Sequence, residues 1–188
     1  MHESMEVVFL GTSASWPTVE RNVPSVALKR GSEIFLFDCG EGTQRQFQRS
    51  GVSYMQVRAI CITHLHADHY LGLPGLVQTM GLNERKEPLD VYGPEGTKEL
   101  LQDMRLVARE KGRAPNYGFK IHVHELPPQG ATVAFPGYSL VAKEVRHTIP
   151  ALAYALVEDA RPGRFHKEVA LSLGIPEGRA FGDLQRGQ

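Results

Sequence analysis

The chain has 188 residues, of which 41% are hydrophobic and 22% charged, the proportions of a globular domain with a buried core. Its 21 Lys and Arg residues balance its 21 Asp and Glu residues, so any affinity for nucleic acid must rest on local basic patches. The N-terminus lacks a basic segment followed by an apolar one, and no run approaches about 18 apolar residues. We therefore expect no signal peptide, no membrane span and a cytoplasmic location. The two cysteines, Cys39 and Cys61, lie in or beside apolar runs and are expected to be buried thiols.

Strand and helix patterns alternate in the first part of the chain. The run Val57 to Ile62 is almost continuously apolar, which is typical of a strand that is buried on both faces. Leucines and other apolar residues recur at helical spacing after Pro94, which is a residue favoured near helix starts. The predicted strands are 6–10, 23–28, 33–37, 57–62 and 89–92, and the predicted helices are 43–49, 73–82 and 94–110.

Four further strands are predicted at 120–126, 132–135, 138–145 and 153–157. Hairpins come first and helical crossovers follow, which predicts an α/β fold with a mixed sheet and helices packed on one face. After Val157 the chain becomes rich in Gly, Pro and Arg, with one short helical stretch at 167–173. We therefore predict a domain over residues 1–158 and an extended basic arm over residues 159–188.

Three histidines and an aspartate are clustered directly after the buried strand 57–62. His64, His66, Asp68 and His69 supply four metal ligands within six residues, too many for one tetrahedral site that keeps a position for water. Two pairs that serve two neighbouring metals fit better, and such a pair of metals can clamp a phosphodiester during hydrolysis. A polar loop that holds these histidines for packing reasons is disfavoured, because each ring would need its own hydrogen-bond partner.

The stretch Thr63-His-Leu-His-Ala-Asp-His69, followed by Leu71-Gly-Leu-Pro-Gly75, resembles the signature of the metallo-β-lactamase superfamily. Nearly the whole chain resembles one family within it, ribonuclease Z. The histidine motif specifies only the superfamily, whereas residues 37–44 and 161–165 narrow the resemblance to the tRNA-processing branch. Besides the histidine motif, the stretches that carry the resemblance to ribonuclease Z are 9–12, 21–22, 37–44, 91–94, 147–150, 153–154 and 161–165.

The resemblance implies a zinc-dependent enzyme that removes the 3′ trailer from precursor tRNA, with two zinc ions in each complete active site. His64, His66 and His147 are implied to bind the first zinc, and Asp68 and His69 the second. Asp68 is also implied to accept a proton in the reaction. Asp38 is implied to orient a ligand imidazole, although an aspartate before Gly40 is equally typical of a turn or helix cap.

Three other histidines have weaker signals. Without the resemblance, His147 is a lone histidine for which a structural role is favoured, and the resemblance reverses that preference. His122 and His124 share one face of a predicted strand, but no neighbour in the sequence completes a ligand set. We therefore predict a solvated face there.

The resemblance also implies that the basic arm grips the tRNA away from the cleavage site. Arg161, Arg164, Phe165 and Lys167 are its predicted RNA-binding residues. From charge alone an ordinary solvated loop is favoured, and the match to the family arm changes that preference. The family further implies a homodimer in which one subunit's arm serves the other's active site.

The family continues well past this length and later supplies an aspartate that bridges both metals and further histidines. Asp183 does not match that aspartate, because it lies in the arm and lacks the following threonine. The implied fold is an αββα sandwich, of which this chain holds the first half and part of the arm. We therefore expect a fragment of a longer protein. Two alternatives stay open: another phosphodiesterase or arylsulfatase-like hydrolase of the superfamily, and an inactive fragment that binds RNA or a partner chain.

Overall fold

The computed structural model describes residues 4–107, 116–160 and 165–186. The strands in these residues are β1 Met5–Gly11, β2 Ser25–Arg30, β3 Glu33–Phe37, β4 Val57–Cys61, β5 Leu89–Gly93, β6 Ile121–Glu125, β7 Ala131–Phe135, β8 Tyr138–Val145 and β9 Ala151–Glu158. The helices are α1 Thr43–Ser50, α2 Leu73–Leu82, α3 Thr97–Val107, α4 Lys167–Ser172 and α5 Arg179–Gln185. None of the described helices is long and apolar enough to cross a bilayer.

Six strands form one mixed sheet in the order β1-β2-β3-β4-β5-β6. The first three pair antiparallel through hairpins, and β3 to β6 pair parallel. Because parallel strands need long crossovers, helices α1, α2 and α3 lie between them in the chain. The carboxyl ends of β3 and β4 consequently meet at one edge of the sheet, where the loops that follow them can form a site.

Both faces of the central strands are apolar, and each face packs against a different layer. Ile34, Leu36 and Ile60 are fully buried in one cluster with residues of α1 and α2. Phe35 and Cys61 alternate with them and are buried in a second cluster with residues of β8 and β9. The near-continuous apolar runs in the sequence therefore mark strands that are covered on both sides.

The predicted mixed sheet is confirmed in β1 to β6, and the strands after β6 form a separate sheet. Strands β7, β8 and β9 make an antiparallel sheet of their own. The segment 127–130, Pro-Pro-Gln-Gly, separates β6 from β7, and two prolines cannot continue a hydrogen-bonded strand. The new sheet covers the second apolar face of the first, which gives the sheet-on-sheet core of the implied sandwich.

Most of the predicted elements are confirmed, with ends that differ by a few residues. Helix α3 was predicted to reach residue 110, and residues 108–115 lie outside the described part of the chain. Helix α5 was not predicted, because Gly182 lies within it and lowers its helix propensity. Both cysteines are free and buried, as expected. The boundary between residues 158 and 159 coincides with the end of β9, and the division into two domains stays a prediction.

A polar and aromatic network joins the two sheets at the end opposite the histidine motif. The Tyr138 hydroxyl donates to Glu33 Oε2 at 2.6 Å, and Arg58 pairs with Glu33 Oε1 at 2.7 Å. Arg30 is 5% exposed, pairs with Glu158 at 3.1 Å and lies over the Tyr138 ring. These contacts pair charged groups that the packing of the sheets partly removes from water.

We predict that Phe35→Ala lowers the free energy of unfolding by about 3–5 kcal/mol, because it removes a ring packed edge-on against Phe135 and Tyr138. The matched control is Phe9→Ala, on the same face of the same sheet, where the side chain is 68% exposed and not fully buried like Phe35. The control should change stability by no more than about 0.5 kcal/mol in urea unfolding monitored by circular dichroism. Equal losses in the two variants would contradict the assigned inter-sheet core.

Candidate metal centre

The histidine motif lies at the edge of the sheet where β3 and β4 end. Thr63 and His64 follow β4, and the start of β9 runs beside them: Leu152 N donates to Thr63 O at 2.8 Å and His64 pairs with Ala151. His147 lies in the loop between β8 and β9, so this pairing brings it to the motif. The site therefore combines loops from both sheets.

Three imidazoles converge at this edge. Potential ligand atoms of His64, His66 and His147 all lie within 4.8 Å of one another. Within the residues that the structure describes, this is the one set of three or more His, Cys, Asp or Glu side chains that are close enough to share a metal ion. His147 Nε2 is 3.4 Å from His66 Nδ1. Two nitrogens bound to one tetrahedral zinc at about 2.0–2.1 Å lie about 3.3–3.4 Å apart, so the spacing and the donor chemistry both fit a zinc-like ion.

Asp68 and His69 form a second pair of potential ligands. Both lie in a one-turn 3-10 helix, Ala67–His69, that follows His66. Asp68 Oδ2 is 3.4 Å from His69 Nε2, and the His69 ring centroid lies 3.9 Å from that of His64. The pair therefore adjoins the three-histidine group on the His64 side, which is the arrangement that two neighbouring ions require.

Asp38 and Thr63 contact the Nδ1 atoms of the His64 and His69 rings. Asp38 Oδ2 is 2.7 Å from His69 Nδ1, and its two oxygens accept from Thr63 N at 2.8 Å and Thr63 Oγ1 at 2.9 Å. Thr63 Oγ1 also lies 2.9 Å from His64 Nδ1. Because their Nδ1 atoms are engaged, Nε2 is the ring nitrogen that His64 and His69 have left for an ion. Sequence reasoning missed Thr63, which carries no signal beyond its place before His64.

The backbone at Asp38 is unusual. Its φ is 58°, a left-handed backbone conformation that residues other than glycine rarely adopt. The residue is also buried. Asp38 caps no helix, since α1 begins after Gly42 without a side-chain cap. Strain of this kind persists where surrounding contacts fix it, which here are the bonds of the carboxylate to Thr63 and His69.

The loops of the site cross at two glycines. Gly72 N donates to Cys39 O at 2.8 Å, and a Cβ on Gly72 would lie 2.1 Å from Gly40 O. A Cβ on Gly40 would in turn lie 2.3 Å from Asp68 O. Only glycine permits these approaches, which press the Ala67–His69 turn against the loop of Asp38.

Burial, with the neighbouring His69 and His147 rings, lowers the pKa of His64 to about 4. For His69, burial lowers the pKa, but the hydrogen bond to Asp38 and the charges of Asp38 and Asp68 outweigh it and leave the pKa raised. A neutral His64 ring has a free nitrogen lone pair at neutral pH, as a metal ligand requires.

Two of the four predicted RNA-binding residues are described. Phe165 packs against Phe181 at 4.9 Å between ring centroids, and Lys167 Nζ pairs with Glu177 at 2.8 Å. Both contacts lie within the arm segment and connect α4 with α5 and the turn before it. Arg161 and Arg164 lie outside the described residues. Asp183 lies in α5, where it pairs with Arg186, and belongs to the arm.

His122 and His124 lie on a partly solvated face, as expected, with side chains 48% and 42% exposed, and they share a carboxylate neighbour. Asp90 on β5 lies between them: its Oδ1 is 2.8 Å from His124 Nε2 and 3.5 Å from His122 Nδ1. The sequence concealed this neighbour, because Asp90 is more than thirty residues away along the chain and arrives through strand pairing.

Comparison with known proteins identifies the family. The sequence model of a protein family described as anti-Pycsar protein Apyc1 matches residues 5–161. The chain belongs to this family. The match covers both sheets and all five predicted metal ligands, and it ends where the arm begins.

Individual relatives extend the similarity through the arm. Ribonuclease Z of Myxococcus xanthus is 48% identical over 98% of this chain and 58% of its own length. Ribonuclease Z of Methanosarcina acetivorans is 45% identical over 97% of this chain and 58% of its own. The resemblance to ribonuclease Z is thus confirmed, and the chain spans less than two thirds of the length of these relatives.

Solved structures agree with this assignment. Human tRNase Z, short form, superposes with a TM-score of 0.73 at 33% identity, over 82% of this chain and 66% of its own. The metallo-β-lactamase fold protein YhfI of Bacillus subtilis has a TM-score of 0.63 at 17% identity, over 85% of this chain and 60% of its own. The fold is therefore the metallo-β-lactamase fold, and the histidine cluster indicates metal binding.

We predict that Asp38→Asn weakens zinc binding about 10–100-fold, because the amide cannot accept from His69 Nδ1 and Thr63 with the same strength. Competition with a chromophoric chelator measures the affinity. The control is Asp103→Asn on the exposed side of α3, which should leave the affinity unchanged. Unchanged zinc affinity in Asp38→Asn, with the fold intact by circular dichroism, would contradict the positioning role.

Proposed function

We propose that this chain is the metal-binding part of a zinc-dependent endoribonuclease that removes the 3′ trailer from precursor tRNA. One observation carries the proposal: His64, His66 and His147 converge at the sheet edge beside the Asp68 and His69 pair. The ribonuclease Z relatives, at up to 48% identity, supply the substrate class.

His64, His66 and His147 would hold one zinc, and Asp68 and His69 a second. Bound ions of this kind supply Lewis acidity to a phosphodiester and lower the pKa of water. The three imidazoles are held by two different loops, and the lowered pKa of His64 keeps that ring neutral and able to bind an ion at neutral pH. Asp38 and Thr63 set the orientation of the His64 and His69 rings, so that Nε2 of each is directed toward an ion.

Asp68 is the proposed proton acceptor. Its carboxylate is mostly shielded from solvent, with a side chain 14% exposed, and lies against His69 Nε2. A carboxylate in this position can take the proton that water loses as it attacks the phosphorus. The close approach of Gly40 to the Asp68 carbonyl oxygen restricts the backbone position of Asp68.

The arm, residues 159–188, is proposed to bind the tRNA away from the scissile bond through Arg161, Arg164, Phe165 and Lys167. Its short helices are held together by Phe165, Phe181 and the Lys167 ion pair, which supports a small folded unit that presents basic groups. Contacts of this type bind phosphates and position a substrate without reading its sequence. The homodimer and the cytoplasmic location also stay predictions.

A phosphodiesterase that acts on small esters is the second candidate. The observation that favours it is that the Apyc1 family match ends at residue 161, so membership in that family does not require the arm. The relatives named ribonuclease Z match 97–98% of the chain and therefore include the arm, which favours the tRNA substrate. The two candidates share the metal centre and differ in whether the arm matters.

We expect the protein that contains this chain to cut an end-labelled precursor tRNA directly after the discriminator nucleotide. Asp68→Asn should slow single-turnover cleavage about 10²–10⁴-fold, because the proton acceptor is weakened. Asp103→Asn is the control and should cut at the parental rate. Cleavage by Asp68→Asn at the parental rate, or cleavage that survives complete removal of metal by a chelator, would refute the proposal.

Arm variants separate the two candidates. With Arg161→Ala and Arg164→Ala combined, we expect weaker binding of precursor tRNA and a smaller salt dependence, since two phosphate contacts are lost. Turnover of bis(p-nitrophenyl) phosphate should stay constant in the same variant. Arg49→Ala, an exposed arginine on α1, is the control for charge alone. Hydrolysis of the small ester without competition by precursor tRNA would favour the second candidate, and RNA binding without any turnover would identify a binding protein.

A further inference from the structure

Asp90, His122 and His124, whose side chains are of the types that bind metals, lie on strands β5 and β6, away from the histidine motif. Asp90 is in register with His122, and Tyr92 is in register with His124. Residues two apart on a strand share a face, and so do registered neighbours on adjacent strands. Asp90, His122 and His124 therefore project from one face of the six-stranded sheet.

That face is the one turned toward the second sheet, because Tyr92 is buried in the inter-sheet cluster. Strand β6 is the last strand of its sheet, and here the cover is incomplete. The side chains of His122 and His124 are 48% and 42% exposed, while that of Asp90 is 23% exposed. An ion from solution can therefore reach the group, and the carboxylate at its centre is partly shielded from water.

The Asp90 carboxylate lies between the two imidazoles, which do not themselves converge. Asp90 Oδ1 is 2.8 Å from His124 Nε2 and 3.5 Å from His122 Nδ1. The His124 ring is stacked on Tyr92 at 4.6 Å between centroids and 18° between planes, which holds that ring in place. The His122 and His124 centroids are 6.5 Å apart, so His122 has to turn toward Asp90 to share an ion, and its exposure permits this.

We propose that Asp90, His122 and His124 form a peripheral site for a divalent transition-metal ion. Two imidazoles and one carboxylate form a ligand set that favours Cu²⁺, Zn²⁺ and Ni²⁺. Mg²⁺ and Ca²⁺ prefer ligand sets made of oxygen atoms alone. Three protein ligands leave at least one position for water. Strands β4 and β6 are separated by β5, so at about 4.8 Å per strand the site lies roughly 10 Å across the sheet from the strand that carries the histidine motif.

A bound ion would connect the edge strand to its neighbour through side chains. Among the strands that the structure describes, β6 is hydrogen-bonded only to β5. The ion would add two side-chain ligands from β6 and one from β5 to that pairing. Occupancy should therefore protect β6 against opening and raise the thermal midpoint.

The test compares zinc and copper binding by equilibrium dialysis in the wild type and in a His122→Gln and His124→Gln double variant. Glutamine keeps a polar side chain on these half-exposed positions, so folding should be preserved. The control is His166→Gln, because His166 is exposed and its side chain makes no cap hydrogen bond to α4. Copper electron paramagnetic resonance reports the number of nitrogen ligands at each occupied site.

The wild type and the control should bind one ion per chain more than the double variant. At a hundredfold excess of free metal over the dissociation constant, they should also gain about 5–10 °C more in thermal midpoint. Asp90→Asn should weaken the binding of this additional ion and should leave metal binding at the histidine motif unchanged. Equal stoichiometry in the wild type and the double variant would overturn the proposal. The proposal would also be overturned if the wild type bound an additional copper ion and the double substitution left its electron paramagnetic resonance spectrum unchanged.

Discussion

The carboxylate of Asp38 is the interaction on which the site depends. It is buried, it lies at a left-handed backbone position, and it accepts hydrogen bonds from Thr63 and His69. A buried charge is costly unless it is fully hydrogen-bonded, so these bonds stabilise the residue as much as they orient the rings. The loop after β3 and the loop after β4 are thereby fixed to each other by one side chain.

Sheet topology makes that interaction available. Strands β3 and β4 are parallel neighbours, so their carboxyl ends place Asp38 and Thr63 side by side. The glycines at 40 and 72 let the two loops cross closely enough for the contact. The second sheet then brings His147 to the same edge through the pairing of β9 with the backbone at Thr63. Backbone pairing therefore brings the proposed ligands His64 and His147 to the same edge.

Much of the fold could be predicted from the sequence, because strand and helix periodicity is local. The buried strand 57–62, the helix 73–82 and the histidine motif all follow from short-range patterns. The split into two sheets could not be predicted in this way, because no local sequence pattern distinguishes a strand that extends a sheet from one that starts another. Thr63 and Asp90 were missed for a related reason: their importance comes from partners that only strand pairing supplies. His147 was found through family resemblance, as a lone histidine carries no signal of its own.

The ligand set has a consequence for dynamics. His66 and His147 are 81 residues apart in sequence and belong to different sheets, yet their nitrogens are 3.4 Å apart. An ion held by both closes a loop of that length, so it acts as a reversible cross-link between the two layers of the molecule. Such an ion would accordingly oppose the local separation of β8 and β9 from the six-stranded sheet. An ion bound by these three rings would thus couple the chemistry of the site to the cohesion of the two sheets.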